Sequence, residues 1–526
     1  MKDRPVNLPQ ERRRYPRTSQ ADSASIVIGE WPQHQAYDCL VHDLSDIGAA
    51  IESRHITLAV GQSATLRIRA KPPLNNGAEA DVYTLTGTVV HNGAQHQYGL
   101  RFSPTVPEQI RDSEVLPRKI MAGTGIVVLA IAVCIFKVRN LASFWYAPAL
   151  EAYSLLAAAF VLSRAALSMI YREPKDNGYL PTVSIIIAAK NEEVHIADTL
   201  HHCFRSRYPL ERLEIIAIDD GSTDGTWQAM SALEAQYPTL KNFRFTKNEG
   251  KRHAMSYGAQ KATGEILVYV DSDSYLEPEA VYRIVQPFVD RKIGAVSGHI
   301  LVFEEEDNFI SKMEAARYYI SHRIMKAAES IFGTVTCCPG AFSAYRRSAV
   351  LRVLSSWLNQ QFLGTQATFG DDRSLTNYIL RTHKVIYHAG ARCATYVPDS
   401  WLKFFRQQLR WKKSWSREST VAMRLMYRKH PIAVLSYYSS ILLTVLSPLM
   451  VLRALVYLPL TGSPNCGPYL IGLFLVYTFL CLFYCFHTQS KSWYYGLAFA
   501  GLYVSFLCFQ NYYAILTVRQ NHWGTR

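Results

Sequence analysis

"GEILVYVDSDSYLEP", residues 264–278, is an apolar run that stops on two aspartates, Asp271 and Asp273, with a single serine between them. A run of this kind reads as a strand built for burial. Working outward, the same pattern recurs in "TVSIIIAA" (182–189), "LEIIAID" (213–219) and "IGAVSG" (293–298), with polar or amphipathic segments between them. Strands alternating with helical stretches from about residue 181 to 400 predict an α/β domain with a largely parallel sheet. In an open α/β sheet, ligands bind outside the carboxyl ends of the strands. Two of these strands deliver acids to that rim: Asp219 and Asp220 after "LEIIAI", and Asp271 and Asp273 after "EILVYV".

Crowded carboxylates repel and raise one another's pKa unless a cation joins them. One or two carboxylates completed by substrate phosphates suit Mg²⁺ or Mn²⁺. The Asp-x-Asp therefore predicts a metal-bound diphosphate, with Asp271 and Asp273 as the ligands. Lys251, in "NEGKRHAMSYGAQKATG" (248–264), is placed to meet the diphosphate as a point charge.

The chain has 526 residues, too many for one ordinary core, and 49% of them are hydrophobic. Charge is nearly absent from several stretches of the last hundred residues, as in membrane segments. Apolar runs at 120–136 and 147–170 predict two transmembrane helices within 118–172, and runs at 432–460, 469–486 and 493–518 predict more within 432–526. A single crossing by the last run conflicts with the arginines of the tail, so it is expected to bend back or to form two short helices. Residues 401–430 interleave nine Lys/Arg with Trp401, Phe404, Phe405, Trp411 and Trp415, which predicts an amphipathic helix in the membrane interface. The net charge of +14 suits anionic lipid or nucleic acid, and the membrane segments favour lipid and phosphorylated ligands. The ten cysteines include no C-x-x-C pair, which argues against a zinc site or a disulfide framework. The polar first twenty residues predict no cleavable leader.

Residues 1–110 read as a small β domain behind a basic arm, from "ASIVIG", "SATLRIRA", "VYTLTGTVV" and the turn "HNGAQ". "ERRRYPR" (11–17) places Arg13 and Arg17 in R-x-x-x-R, and "VHDLSDIGAAI" (41–51) places Asp43, Ser45 and Gly48 in D-x-S-x-x-G. Together these resemble the PilZ domain, which implies cyclic di-GMP as ligand and allosteric activator. Guanidinium groups can bind its phosphates bidentately and pair with guanine edges. The arm is the only support for nucleic-acid binding, and that partner is set aside.

"FGDDRSLTNYIL" (369–380) and "RQQLRW" (406–411) follow the Asp-x-Asp in order. With them the sequence over 120–526 resembles the processive, inverting family 2 glycosyltransferases, most closely the membrane hyaluronan synthases and their chitin-oligosaccharide relatives. "NQQFLGTQATFGDDRSLTNY", "YVPD", "RQQLRWKKSWSRES" and the terminal "WGTR" carry that likeness. The resemblance implies a GT-A catalytic domain at 181–400 in a multidomain α/β membrane protein, with transmembrane helices before and after it. It implies that Asp219 or Asp220 holds the base of a nucleotide sugar, favoured as UDP-linked, and that Lys251 faces the diphosphate. Asp372 becomes the general base, Arg410 a diphosphate partner, and Gln407 and Trp411 acceptor-binding groups. Trp523 and Arg526 become a tail that closes over the nucleotide.

The expected activity is cyclic di-GMP-activated synthesis and secretion of an extracellular polysaccharide from UDP-GlcNAc, UDP-glucuronate or both. The site would be a bacterial inner membrane, with room for periplasmic export partners. Alternatives are a non-processive lipid-linked transferase, or a synthase of a glucan or of a uronate polymer such as alginate. One departure bears on the sugar: "TCCPGAFSAYRR" (336–347) stands where hyaluronan synthases carry a Ser-Gly-Pro-like turn, and Pro339 fixes φ where Gly would not.

Overall fold

The computed structural model describes residues 23–28, 35–45, 48–52, 63–70, 81–92, 97–102, 106–140, 148–303, 308–462, 466–488 and 490–520. Arg13, Arg17, Trp523 and Arg526 lie outside them. The chain forms two compact units, Met1–Met121 and Ala122–Arg526.

In the first unit, β1 (Ser23–Ile28), β2 (Gln35–Ser45), β3 (Gly48–Glu52), β4 (Ser63–Ala70), β5 (Asp81–Asn92) and β6 (Gln97–Phe102) close into a barrel in the order β1-β2-β3-β6-β5-β4. Ile51, Val89 and Leu100 are buried in it. Asp43 pairs with Ala50, and Ser45 with Gly48, across the β2/β3 ladder. Asp43, Ser45 and Gly48 therefore sit together at one end of the β2/β3 ladder.

In the second unit, the strands are β7 (Val183–Ala189), β8 (Leu213–Asp219), β9 (Leu240–Arg244), β10 (Ile266–Asp271), β11 (Ser274–Leu276), β12 (Ile293–Val302) and β13 (Phe342–Arg346). A two-residue ladder, β14 (Gln361–Phe362) with β15 (Thr365–Gln366), precedes β16 (Lys384–Thr395). The main sheet runs β11-β16-β12-β13-β10-β7-β8-β9. Alternate residues of its central strands face opposite cores. Ile185, Ile187, Ile215, Val268 and Val270 pack on one side, and Ile186, Ile216, Ile218, Leu267 and Tyr269 on the other. Burial on both faces is why these strands read as unbroken apolar runs, each buried Ile contributing about 1.5–3 kcal/mol.

The sheet is mixed, where the sequence predicted a largely parallel one. β7, β8, β9 and β10 are parallel neighbours, but β13 lies antiparallel between β10 and β12. The chain leaves β12 at the carboxyl edge, passes through the helical stretch 309–330, and re-enters the sheet from that same edge. Its direction is reversed by that route.

Among the described residues, five helices are long and apolar enough to cross a membrane: Lys119–Arg139, Pro148–Ile170, Pro431–Leu460, Gly467–Thr488 and Tyr495–Leu516. The last is one helical run with a π-helical stretch at Tyr503–Leu507, not two short helices. Its neighbours are telling. Tyr495 meets Phe309 and Phe506 meets Phe405, at ring separations of 5.3 and 4.8 Å. Gln510 donates to the Phe405 carbonyl at 3.1 Å, and Lys412 Nζ to Asn511 Oδ1 at 3.0 Å. This helix thus lies along the helices Phe309–Tyr319 and Trp401–Met426 of the catalytic region.

Candidate active site

The carboxyl ends of β7, β8 and β10 form one rim, and the loops after them are laced together. Asn191, in the left-handed region at φ 54°, ends β7 and accepts from Thr223 N at 3.0 Å. Its own N–H donates to Ser222 Oγ at 3.0 Å. Asp219 is fully buried: Oδ1 accepts from Ser222 N at 2.8 Å, and Oδ2 lies 3.1 Å from Arg244 Nε. Asp220 accepts from Glu249 N at 2.7 Å and Gly250 N at 2.9 Å. Burial pushes its carboxyl above the usual range, and those two N–H groups partly offset that. Both acids of "DDGS" therefore brace loops, and Asp220 holds the start of the helix Lys251–Lys261.

That helix begins at Lys251, whose ammonium is ion-paired with Asp271 at the end of β10. Burial works against the Lys251 charge, but Asp271, Asp371 and Asp372 hold its pKa above the ordinary value. Asp273 stands two residues on, within reach of the hydroxyls of Ser274 at 3.5 Å and Thr395 at 3.4 Å. Burial first, and the Asp271 charge second, push its carboxyl up to about 6. The structure thus brings Lys251 and Asp271 together, with Asp273 two residues on. Among the described residues, no three His, Cys, Asp or Glu side chains gather as a metal cage. Two carboxylates, one under strong pressure to stay protonated, fit a divalent ion that takes its remaining ligands from phosphate and water.

The turn with the unusual order Pro339-Gly340 closes this site. A Cβ at Gly340 would lie 3.0 Å from Asp271 Oδ1 and 3.2 Å from Lys251 Nζ, so any side chain there would crowd this ion pair. Three residues earlier, the Cys337 thiol donates to Asp372 Oδ2 at 3.7 Å, and Cys338 N donates to Thr376 at 3.0 Å. Burial raises the Cys337 thiol to about 11, so it stays a protonated donor. One four-residue turn, 337–340, therefore touches both the Asp-x-Asp and "GDD".

The two acids of "GDD" have divided environments. Asp371 is buried and paired with Arg252 Nε at 2.6 Å, while the same guanidinium donates to the Trp357 carbonyl at 3.0 Å. Asp372 is half-buried and open beyond Cys337 and the Arg373 N–H at 2.8 Å. Both open the helix Asp371–Leu380, whose N-terminal dipole favours negative charge.

The interface helix Trp401–Met426 faces this rim. Burial lowers the Arg410 pKa, and the charges of Asp271 and Asp372 oppose that. The Gln407 Oε1 is buried without a hydrogen-bond partner among the described residues. The Trp411 ring lies 6.3 Å from the Tyr318 ring.

Some site-forming residues carried no clear signal in the sequence. Arg417, one of the nine cations expected in the interface, is 2% exposed. It donates to Glu418 Oε1 at 2.8 Å and to the Phe369 carbonyl, so it fastens the "FGDD" loop to the interface helix. Glu418 also accepts from Gln360 at 3.0 Å and Asn377 at 3.1 Å. The adjacent Arg-Glu in "SRES" was the available hint of an inward-facing pair.

Residues 184–354 match the glycosyl transferase family 2 domain, and residues 11–115 the PilZ domain. The chain is 29% identical over 300 residues to a hyaluronan synthase of Streptococcus pyogenes, covering 56% of this chain and 71% of that one. It is 28% identical over 358 residues to an N-acetylglucosaminyltransferase of Azorhizobium caulinodans, covering 66% and 87%. Among solved structures it is similar to a mannosyltransferase of Pyrobaculum calidifontis in complex with GDP-Man and Mn²⁺, at TM-score 0.47 and 22% identity, covering 68% of this chain and 99% of that one. Residues 184–354 are therefore a family 2 glycosyltransferase domain, and the chain joins it to an N-terminal PilZ domain.

Proposed function

We propose that the protein is a processive synthase that builds an extracellular polysaccharide from a UDP-sugar and is activated by cyclic di-GMP. The observation that carries this is the rim on which Lys251, Asp271 and Asp273 meet, joined to Asp372 through the turn at 337–340, lying against an interface helix in a chain with membrane-length helices. Polymerisation at a membrane surface explains why one chain holds both parts.

Asp271 and Asp273 would hold Mg²⁺ or Mn²⁺, which when bound neutralises the leaving diphosphate. Lys251 and Arg410 bind the same diphosphate directly. Asp220 positions Lys251 through the backbone at 249–250, and Asp219 and Asp220 brace the loop that lies against the base. Asp372 takes the proton of the acceptor hydroxyl as it attacks the anomeric carbon from the face opposite the diphosphate, which inverts that centre without a covalent intermediate. Cys337 hydrogen-bonds Asp372 and keeps the carboxylate aimed. Trp411 offers an aromatic face and Gln407 a free acceptor atom to the growing chain. Trp523 and Arg526 close over the nucleotide.

UDP-GlcNAc, with or without UDP-glucuronate, is the favoured donor, supported by the likeness to a hyaluronan synthase and an N-acetylglucosaminyltransferase. In a bacterial inner membrane both folded domains would be cytoplasmic. The last apolar helix then lies along the catalytic helices at that surface, which keeps the arginines of the tail on the same side as the nucleotide. Arg13 and Arg17 bind cyclic di-GMP with Asp43, Ser45 and Gly48, and the ligand favours an open state through its higher affinity for it. The test uses protein in lipid nanodiscs with UDP-sugars singly and in pairs, with and without cyclic di-GMP. Arg13→Ala plus Arg17→Ala abolishes the activation; activation that survives the double substitution refutes the assignment of the switch.

A further inference from the structure

Arg317 belongs to none of the motifs above, yet it sits at a junction of three elements. It lies on the helix Phe309–Tyr319, which continues without a break into a π-helical stretch at Ile320–Lys326. Its guanidinium makes a two-point contact with Glu314, at 2.8 and 2.5 Å, and Glu314 is fully buried. Held in that plane, the Arg317 Cζ stands over three rings: Tyr318 at 5.3 Å, Trp411 at 4.8 Å and Phe499 at 5.4 Å. Trp411 belongs to the interface helix, and Phe499 to the last apolar helix. A planar guanidinium can hydrogen-bond in its plane and stack on both faces, which an ammonium cannot.

We infer that Arg317 is a positioning residue for the acceptor: it fixes the Trp411 ring and joins it, through Phe499, to the helix that leads into the tail. The inference rests on the proposal that Trp411 contacts the growing chain. One face of the indole is capped by the guanidinium, so the ring cannot turn away when the polymer advances by one sugar. The buried Glu314 makes the clamp a fixed structure, because an unpaired buried carboxylate would be costly. Fastening Phe499 to the same cation ties the acceptor platform to the segment that precedes residues 521–526.

The test compares wild type with Arg317→Lys, which keeps the charge beside Glu314 and loses the planar stack, in nanodiscs with the donors that support polymer. Product length, nucleotide released per sugar incorporated, and donor KM are measured together. The expected result is a product about tenfold shorter and more nucleotide released per sugar, at unchanged donor KM, the scale expected for loss of a desolvated cation–π contact. Phe499→Leu, which spares the ion pair, shortens the product about two- to threefold and keeps the proposal testable should Arg317→Lys fold poorly. Wild-type product length in both variants overturns the inference. So does a fall in rate with length and donor KM moving together, since that marks a merely structural role. Absence of polymer from the wild type with every donor instead refutes the synthase proposal on which the inference rests.

Discussion

Gly370, the residue before the two acids of "GDD", is where the fold depends most sharply on one missing side chain. Its φ is +75°, and a Cβ there would lie 2.7 Å from Ser414 Cβ, closer still to Ser414 Oγ, and 3.2 Å from Arg417 Nη2. Gly370→Ala therefore meets two separate costs. The left-handed conformation costs an L-residue about 1–2 kcal/mol. Overpacking against the interface helix adds about 1–3 kcal/mol. The expected total is about 2–5 kcal/mol of stability. Relief by moving the loop displaces Asp372, and a shift near 1 Å at a reacting group is worth about 10²-fold in rate. Ser414→Gly separates the two costs, since it removes both clashing Ser414 atoms at about 0.5–1 kcal/mol of helix propensity. The double variant sheds the roughly 1–3 kcal/mol of overpacking but carries the propensity cost, so it should be about 0–2.5 kcal/mol more stable than Gly370→Ala while retaining the backbone cost. Thermal unfolding and nucleotide release in nanodiscs measure both. A Gly370→Ala protein with wild-type melting and rate, or a double variant no better than the sum of the singles, refutes the reasoning.

Arg252→Met leaves the buried Asp371 carboxylate without its partner and should cost about 3–5 kcal/mol; adding Asp371→Asn should restore part of it, as read by the melting temperature. Asp372→Asn should keep the wild-type melting temperature and lower turnover about 10²–10⁴-fold, which separates the base from its structural neighbour. Asp273 gives a pH signature. Its folded-state pKa of about 6 lies above the ordinary carboxylate value, so below about pH 4 neither state is ionised and its contribution is at its best. As pH rises to about 6 the unfolded state loses its proton first, and stability falls before levelling off. Melting without divalent cations from pH 5 to 7 should show that fall, and Asp273→Asn should flatten it.

Asp271 and Asp273 were legible as strand-end acids because strands buried on both faces have a signal of their own. "ILVYVD" reads as an inner strand, and in the structure its end brings Asp271 to Lys251. The direction of β13 was not legible. "FSAYR" is five residues long, and strand direction depends on the path of the preceding helices, which local propensity does not encode. The inward turn of Arg417 and Glu418 was hidden for a related reason. A basic amphipathic helix has the same composition whether one arginine faces lipid headgroups or a buried carboxylate, and only the "FGDD" loop packed against it makes the difference. Arg317 likewise resembles any helix-surface cation until three rings from three elements close around it.

The central claim is that this rim polymerises a nucleotide sugar. The direct measurement is product size beside nucleotide release, for wild type and Asp372→Asn in nanodiscs with Mg²⁺ or Mn²⁺, UDP-GlcNAc and UDP-glucuronate, and cyclic di-GMP. The account predicts high-molecular-weight polymer from the wild type, with polymer and release lost together in the variant. Nucleotide release by the wild type with a product of one added sugar would contradict it.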